Sequence, residues 1–381
     1  MIVTGEASGD LHGSNLVRAL RSKRDDLEFC GMGGSELESL GVEILFDAAK
    51  ISVVGITEVL FHLKDIFQAQ STLKKSLVED PPDLLIVIDL PDFNLILAKK
   101  AKKLGIPVFY YIAPQIWAWR SGRVHTIKKR VDKVGVILPF EEQFFKKHDV
   151  DAKYVGHPLL DTVETTSTKN EFFTRHGIDK NSQCIGLLPG SRKQEVASLL
   201  PIFLDAALQL QENRDESAPL VFLIPQASTI SLEEFDNAGI GKYADQLDIK
   251  IIADDRYNLM SVCDAVVAAS GTVTLELAIL EIPMVVVYTL AKSTYFIAKL
   301  LVKLDHFSLV NLIAGKTVVP ELLQDEVTPE NISRELRHFI SAGDGKNKIQ
   351  AALAEVRAKL GEKGASQRAA DVALSLLPEK C

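Results

Sequence analysis

Several features that would decide the class of this protein are absent from its 381 residues. Cysteine is scarce. Cys30, Cys184, Cys263 and Cys381 stand far apart, which excludes a CxxC redox pair or a zinc knuckle and suits a reducing compartment. Positive charge is in deficit: a net charge of −8 excludes a generic nucleic-acid binder but leaves room for a local basic face. Long apolar runs are missing too. The best candidate, "IPMVVVYTLAKSTYFIAKLL" at 282–301, is interrupted by Lys292, Ser293, Thr294 and Lys299. It falls short of about 18 uninterrupted apolar residues, so no transmembrane helix is expected. The opening "MIVTGEASGD" has neither a basic n-region nor a long apolar stretch and is not expected to be a signal peptide. His12, His125, His157 and His306 lack ligand spacing, and no metal site is expected.

Familiar nucleotide motifs also fail. "GMGGSE" (31–36) carries Glu36 where GxGxxG needs its last glycine, which disfavours a Rossmann dinucleotide site. "GKT" (315–317) resembles the end of a Walker loop, but Val310 holds the first glycine position. "DVD" (149–151) matches the metal-holding DxD of some sugar-nucleotide enzymes, yet it follows "FFKKH" in what reads as a surface loop, where chance is the better account.

What is present is a 47% apolar chain long enough for two domains. Apolar strand-like runs alternate with helical patterns. "MIVTG" leads into a helix with Leu11, Leu16, Val17 and Leu20 on one face; "LEFCGMGG", "DLLIVIDL", "IPVFYY", "VGVILPF" and "AKYVG" follow. Such alternation predicts a parallel sheet with helices on both faces. Residues 161–182 are polar and hold no strand run; the alternation restarts with "CIGLLPGSR", a helix from about Glu195 to Leu210, "PLVFLIP", "IKIIADD", "DAVVAASGT" and "IPMVVVY". The expected fold is α/β with two Rossmann-like, doubly wound domains, 1–160 and 161–345, followed by a helical tail at 346–381 that breaks around Gly361 to Gly364. Two such domains facing across a cleft would bring both sets of strand ends to one site.

Two turns in the second half look built for phosphate. In "CIGLLPGSRKQE" (184–195), Gly190 and Ser191 allow close backbone approach at a helix start, and Arg192 adds a forked cation. In "DAVVAASGTVTLELA" (264–278), Ser270, Gly271 and Thr272 repeat the logic, and Glu276 is placed to accept the hydroxyls of a ribose. An ordinary turn and a capping acid are the plain alternatives; together the motifs favour a nucleotide site. "GEASGD" (5–10) offers Gly5 and Gly9 for tight backbone and Ser8 or Asp10 as helix caps, and could hold a second ligand.

"LLIVIDLPDFN" (84–94) predicts a strand buried on both faces that delivers Asp89, Pro91, Asp92 and Asn94 at its end. These are either helix-capping residues or a catalytic carboxylate at the sheet edge with Asp92 and Asn94 orienting it. "PQIWAWRSGRVHTIKKR" (114–130) holds both tryptophans and five Lys/Arg, a basic patch suited to a phosphorylated or membrane-bound substrate. Ile56, Val59, Leu60, Leu63, Ile66 and Phe67 form one apolar stripe. It is expected to be exposed and to meet acyl chains or bilayer, against the commoner alternative of a core face.

Seven segments ("GEASGD", "IDLPDFN", "PQIWAW", "VGHP" at 155–158, "LLPGSR", "SGTVTLE" and "NLIAG" at 311–315) occur in the order seen in the lipid-A-disaccharide synthase family, which the chain resembles from end to end. The resemblance implies a GT-B glycosyltransferase that holds its sugar nucleotide mainly in the C-terminal domain and takes acceptor on the N-terminal side. It implies inverting transfer of 2,3-diacylglucosamine from its UDP derivative to 2,3-diacylglucosamine 1-phosphate, with no cofactor and no metal. It further implies work at the inner face of the cytoplasmic membrane and homodimers that exchange C-terminal segments. By motif, Asp89 matches the base, and Arg192 and Asn311 match residues important for activity. Gly190, Ser191, Arg192, Ser270, Gly271, Thr272 and Glu276 would hold nucleotide, and Gly5, Ser8, Gly9, Asp10 and Asp92 would form the acceptor-side loop. The alternatives are another GT-B enzyme of UDP-N-acetylglucosamine, lipid-linked glycosyltransferase or 2-epimerase, and a non-catalytic nucleotide-sugar-binding membrane scaffold.

Overall fold

The computed structural model describes residues 1–51, 63–119, 121–213, 218–290, 306–341 and 345–378. The chain divides into two units, Met1–Asp161 together with Leu360–Cys381, and Thr162–Lys359.

The first unit is built on a parallel sheet. Its described strands are β1 (Ile2–Val3), β2 (Cys30–Gly33), β3 (Glu43–Asp47), β4 (Leu85–Ile88), β5 (Val108–Tyr111), β6 (Lys133–Val136) and β7 (Ala152–Tyr154). They lie in the order β3-β2-β1-β4-β5-β6-β7. β4 is continuously apolar because both of its faces are covered. Leu85 and Val87 join Leu73 and Leu77 in one core cluster, whereas Ile86 and Ile88 join Leu16, Val17 and Leu20 in the other. Burial of each such side chain stabilises the unit by roughly 1.5–3 kcal/mol.

The helix Ala7–Lys23 faces the sheet with Leu16, Val17 and Leu20, as its spacing predicts, while Leu11 is 39% exposed. Its start corrects an expectation. The N-cap is Glu6, Ser8 lies exposed inside the first turn, and neither Ser8 nor Asp10 caps this helix. Asp10 is buried and accepts hydrogen bonds from the N–H groups of Gly34 (2.8 Å) and Glu36 (2.9 Å). A buried carboxylate needs such donors, and two are free at the start of the helix Ser35–Glu38.

The tail helices go to different units. Gly345–Lys359 belongs to the second, while Ala365–Leu374 packs on the first. There Ala369, Ala370 and Ala373 are small enough to let it approach Leu16 and Leu20. Arg368 ties it down by donating to the carbonyls of Val155, Lys363 and Glu362.

In the second unit the described strands are β8 (Gln183–Leu188), β9 (Leu220–Gln226), β10 (Asp248–Ala253), β11 (Ala265–Ala269), β12 (Met284–Tyr288) and β13 (Glu321–Leu323). They form a parallel sheet in the order β10-β9-β8-β11-β12-β13. β8 and β11 are neighbours, with Leu188 opposite Ala268, so the turns that follow them open on the same edge of the sheet. The helix after β8 runs over Lys193–Glu212 and buries Val196, Leu200, Phe203 and Leu204 against that sheet.

Candidate active site

At the end of β4 the backbone makes an unusual turn. Asp89 (φ 51°) and Leu90 (φ 44°) are consecutive non-glycine residues in the left-handed region, a conformation that costs on the order of 1–3 kcal/mol per residue. Hydrogen bonds hold it. The Asp89 carbonyl accepts from Tyr110 OH (2.6 Å) and Asn94 Nδ2 (2.8 Å), and Asn94 Nδ2 also reaches the Ile88 carbonyl (3.0 Å). Pro91 then opens the helix Pro91–Lys103. Asn94 therefore orients Asp89 and caps nothing. The N-cap position is Leu90, which makes no side-chain cap bond, and Asp92 pairs with Arg123 at 2.5 Å.

The Asp89 carboxyl is half-buried, and among the described residues no donor or cation meets it. Burial, with the nearby charge of Glu6 adding to it, pushes its pKa up to about 6. The GEASGD turn presses on this corner: a Cβ on Gly5 would lie 2.7 Å from the Leu90 side chain, so a larger residue would push the turn away. Gly5 and Asp10 line a cavity of about 560 Å³ with Gly33, Gly34, Glu38 and Asp47; Ser8, Gly9 and Asp92 do not line it.

In the second unit, Gly190, Ser191, Arg192, Ser270, Gly271, Thr272 and Glu276 all line one cavity of about 340 Å³. Two charged residues not singled out by their sequence context, Glu195 and Arg256, also line it. Glu195 bonds back onto the first turn, its Oε2 accepting from the N–H groups of Ser191 (3.2 Å) and Arg192 (3.3 Å) and its Oε1 from Arg192 Nη1 (3.3 Å). Arg256 donates to Glu276 Oε1. Burial raises the Glu276 pKa, and Arg256 opposes that rise. The second turn is arranged differently. The helix Thr272–Ile279 starts from Gly271 with no side-chain cap, and among the described residues no acid lies back on its first turn. Its leading N–H groups and positive dipole end therefore stay available to an anion.

Asn311 is not among the cavity residues. It is fully buried, and its amide is saturated: Nδ2 donates to the Val319 carbonyl and Glu321 Oε1, and Oδ1 accepts from the N–H groups of Val318 and Val319. Of the apolar stripe, Ile56, Val59 and Leu60 lie outside the described residues. Phe67 is 70% and Leu63 40% exposed, while Ile66, where substantial exposure was expected, is half-buried against the core. The helix Leu63–Glu79 rolls that position onto the sheet.

In the basic segment, Trp117 donates to Glu141 (2.9 Å), a carboxyl that burial pushes up to about 7. Among the described residues, no helix is long and apolar enough to cross a membrane, and no group of three or more His, Cys, Asp and Glu is placed to hold a metal ion.

The family model of lipid-A-disaccharide synthetase matches residues 1–376. The lipid-A-disaccharide synthase of Geobacter metallireducens is 44% identical over 382 residues, covering 100% of this chain and 97% of that one. That of Syntrophus aciditrophicus is 46% identical over 377 residues, covering 99% and 97%. Among solved structures, MnaA of S. aureus with UDP matches at TM-score 0.65 and 13% identity over 100% of this chain and 98% of its own. MurG of Acinetobacter baumannii matches at TM-score 0.60 and 14% identity over 98% of each. These two likenesses speak to the fold, which is GT-B.

Proposed function

The chain belongs to the lipid-A-disaccharide synthetase family, and on that premise we propose that it transfers 2,3-diacylglucosamine from its UDP derivative to the 6-hydroxyl of 2,3-diacylglucosamine 1-phosphate. Asp89 takes the hydroxyl proton as the oxygen attacks the anomeric carbon. The bond from that carbon to the UDP oxygen breaks with its electron pair going to UDP, and attack from the opposite face gives the β-1,6 linkage. A pKa near 6 suits this base, which is ionised at neutral pH yet basic enough to share a proton in the transition state.

UDP is assigned to the cavity of the second unit. The start of the helix Thr272–Ile279 and Arg192 take the charge that grows on the diphosphate, and Glu276 takes the ribose. The observation that supports this most directly is the convergence of seven residues, chosen from two separate turns, on one cavity. Asn311 enters as a positioning residue that fixes the loop to β13. In the first unit, Gly5 and Asp10 line the acceptor-side cavity.

Phe67 and Leu63, with the stripe they continue, are assigned to the acyl chains and the inner face of the cytoplasmic membrane. A homodimer could exchange the tail at little cost, because a partner's tail would offer the same contacts that residues 365–374 make here on their own chain. The rival UDP-N-acetylglucosamine activities rest on likeness of fold alone and are not favoured. UDP release tests the assignment, since it should require both diacylated sugars and persist in excess chelator. Interconversion of UDP-N-acetylglucosamine without an acceptor would overturn it, and loss of turnover restored by Mg²⁺ would return attention to Asp149 and Asp151.

A further inference from the structure

Arg256 follows β10, whereas Glu276 sits in the helix after β11, three places along the sheet. The fold nevertheless brings them together. Arg256 Nη2 donates to Glu276 Oε1, and Tyr257 OH lies 3.3 Å from the same oxygen. Both described donors use Oε1. The Arg256 guanidinium lies 4.7 Å above the Tyr257 ring, which fixes its plane from a second side. The Glu276 side chain is 5% exposed and that of Arg256 53%, so the acid is held inside and the cation stands at the cavity mouth.

We propose that Arg256 is a positioning residue that holds Glu276 in place as the acceptor for the ribose hydroxyls of UDP, and so sets selectivity for ribose over deoxyribose. The proposal deepens the nucleotide assignment above and rests on it. With Oε1 engaged by Arg256 and Tyr257, the carboxylate cannot rotate freely, and Oε2 is left to accept from the sugar. A carboxylate that accepts from a cation and a hydroxyl pair must be ionised. The groups facing it are Arg256 and Tyr257 on their helix, with Arg192 and Glu195 elsewhere around the cavity. Burial favours the neutral acid, and Arg256 is the strongest opposing influence. Without that cation Glu276 would hold its proton to higher pH.

The experiment measures the affinity of the full chain for UDP and for 2′-deoxy-UDP between pH 5.5 and 8.5, in wild type, Arg256→Gln, Arg256→Lys and Glu276→Gln. Wild type should prefer UDP by about tenfold or more, the worth of a hydrogen bond to a charged group. Arg256→Gln should weaken UDP by about 10- to 100-fold, reduce the preference to within about threefold, and make the loss of UDP binding on acidification set in at higher pH than in wild type. Arg256→Lys should restore much of the preference, and turnover at saturating donor should change far less than KM. If Arg256→Gln weakens UDP and 2′-deoxy-UDP equally and keeps the preference, Arg256 acts on the diphosphate and the proposal is overturned. If wild type binds UDP without any preference, or Glu276→Gln keeps one, the ribose role of Glu276 itself fails, which is a different result.

Discussion

Asp89 and Glu276 are both carboxylates at the C-terminal side of a buried parallel strand, and the protein treats them in opposite ways. Asp89 ends β4 in the first unit, half-buried, with no described cation near it and its pKa at about 6. Glu276 lies in the helix that follows β11 in the second unit, more deeply buried, but with Arg256 on one oxygen. Burial raises both. Only at Glu276 does a built-in cation push back. On the roles proposed above, the difference would separate two kinds of chemistry: an acid left without a cation serves as a proton acceptor, and an acid given an arginine serves as an acceptor for hydroxyls.

The largest expected effect tests the first half of that contrast. Asp89→Asn keeps shape and removes the proposed base, and turnover should fall by about 10²–10⁴ with UDP affinity nearly unchanged. Wild-type turnover should fall about tenfold per pH unit below about 6, where Asp89 takes up its proton, and the variant should lack that limb. The sign for stability is the reverse of the usual carboxylate case. The folded pKa lies above the unfolded one, so the native state loses stability as pH rises from the ordinary aspartate value of 3.8 to about 6. Asp89→Asn should therefore melt at or above wild type at pH 7.5, which separates lost chemistry from lost folding. If it stays active while Asp92→Asn is dead, the two acids exchange roles.

Next in size is Arg192→Ala. If Arg192 serves the diphosphate as the leaving charge grows, both UDP affinity and turnover should drop, each by about 10-fold or more. A variant with weakened binding but unchanged turnover would confine Arg192 to the ground state.

Much of this architecture was legible because strands buried on both faces must be continuous apolar runs. β4, β8 and β11 declare themselves in that way, and small residues after a strand mark the turns. Two of the edge strands, β3 and β13, were not legible. "EILFD" at β3 is largely half-exposed, and "ELL" at β13 is too short to carry a pattern. Capping chemistry misled at "GEASGD", because Asp10 serves two N–H groups that come from residues 34 and 36. The Arg256–Glu276 pair joins residues 20 apart in the chain through strands that are not neighbours, so spacing could not reveal it. Glu195 was masked by a shift of one residue: Ser191 as cap would put Gln194 in the capping-box place, whereas the helix is capped at Arg192, which brings Glu195 there.

That acid yields the smallest prediction and the finest test of how the two phosphate-type turns differ. Glu195 holds the N–H groups of Ser191 and Arg192, and Gly190, at φ 112°, has no Cβ to collide with its carboxylate. The first turn thus carries its own anion, while the turn at 270–272 carries none among the described residues. A diphosphate should then rest on the second turn and draw Arg192 away from Glu195. The Arg192–Glu195 pair is exposed on the arginine side at 66%, so breaking it costs under about 1 kcal/mol. Glu195→Gln keeps an acceptor for the turn but frees the guanidinium. UDP affinity should rise by up to about fivefold at low salt, with the gain shrinking as salt screens the charges. The melting temperature should fall slightly, because a neutral amide caps a helix less well than a carboxylate near its positive end. If UDP binding weakens instead, the carboxylate is needed in the bound state to shape the first turn, and both turns serve the diphosphate together.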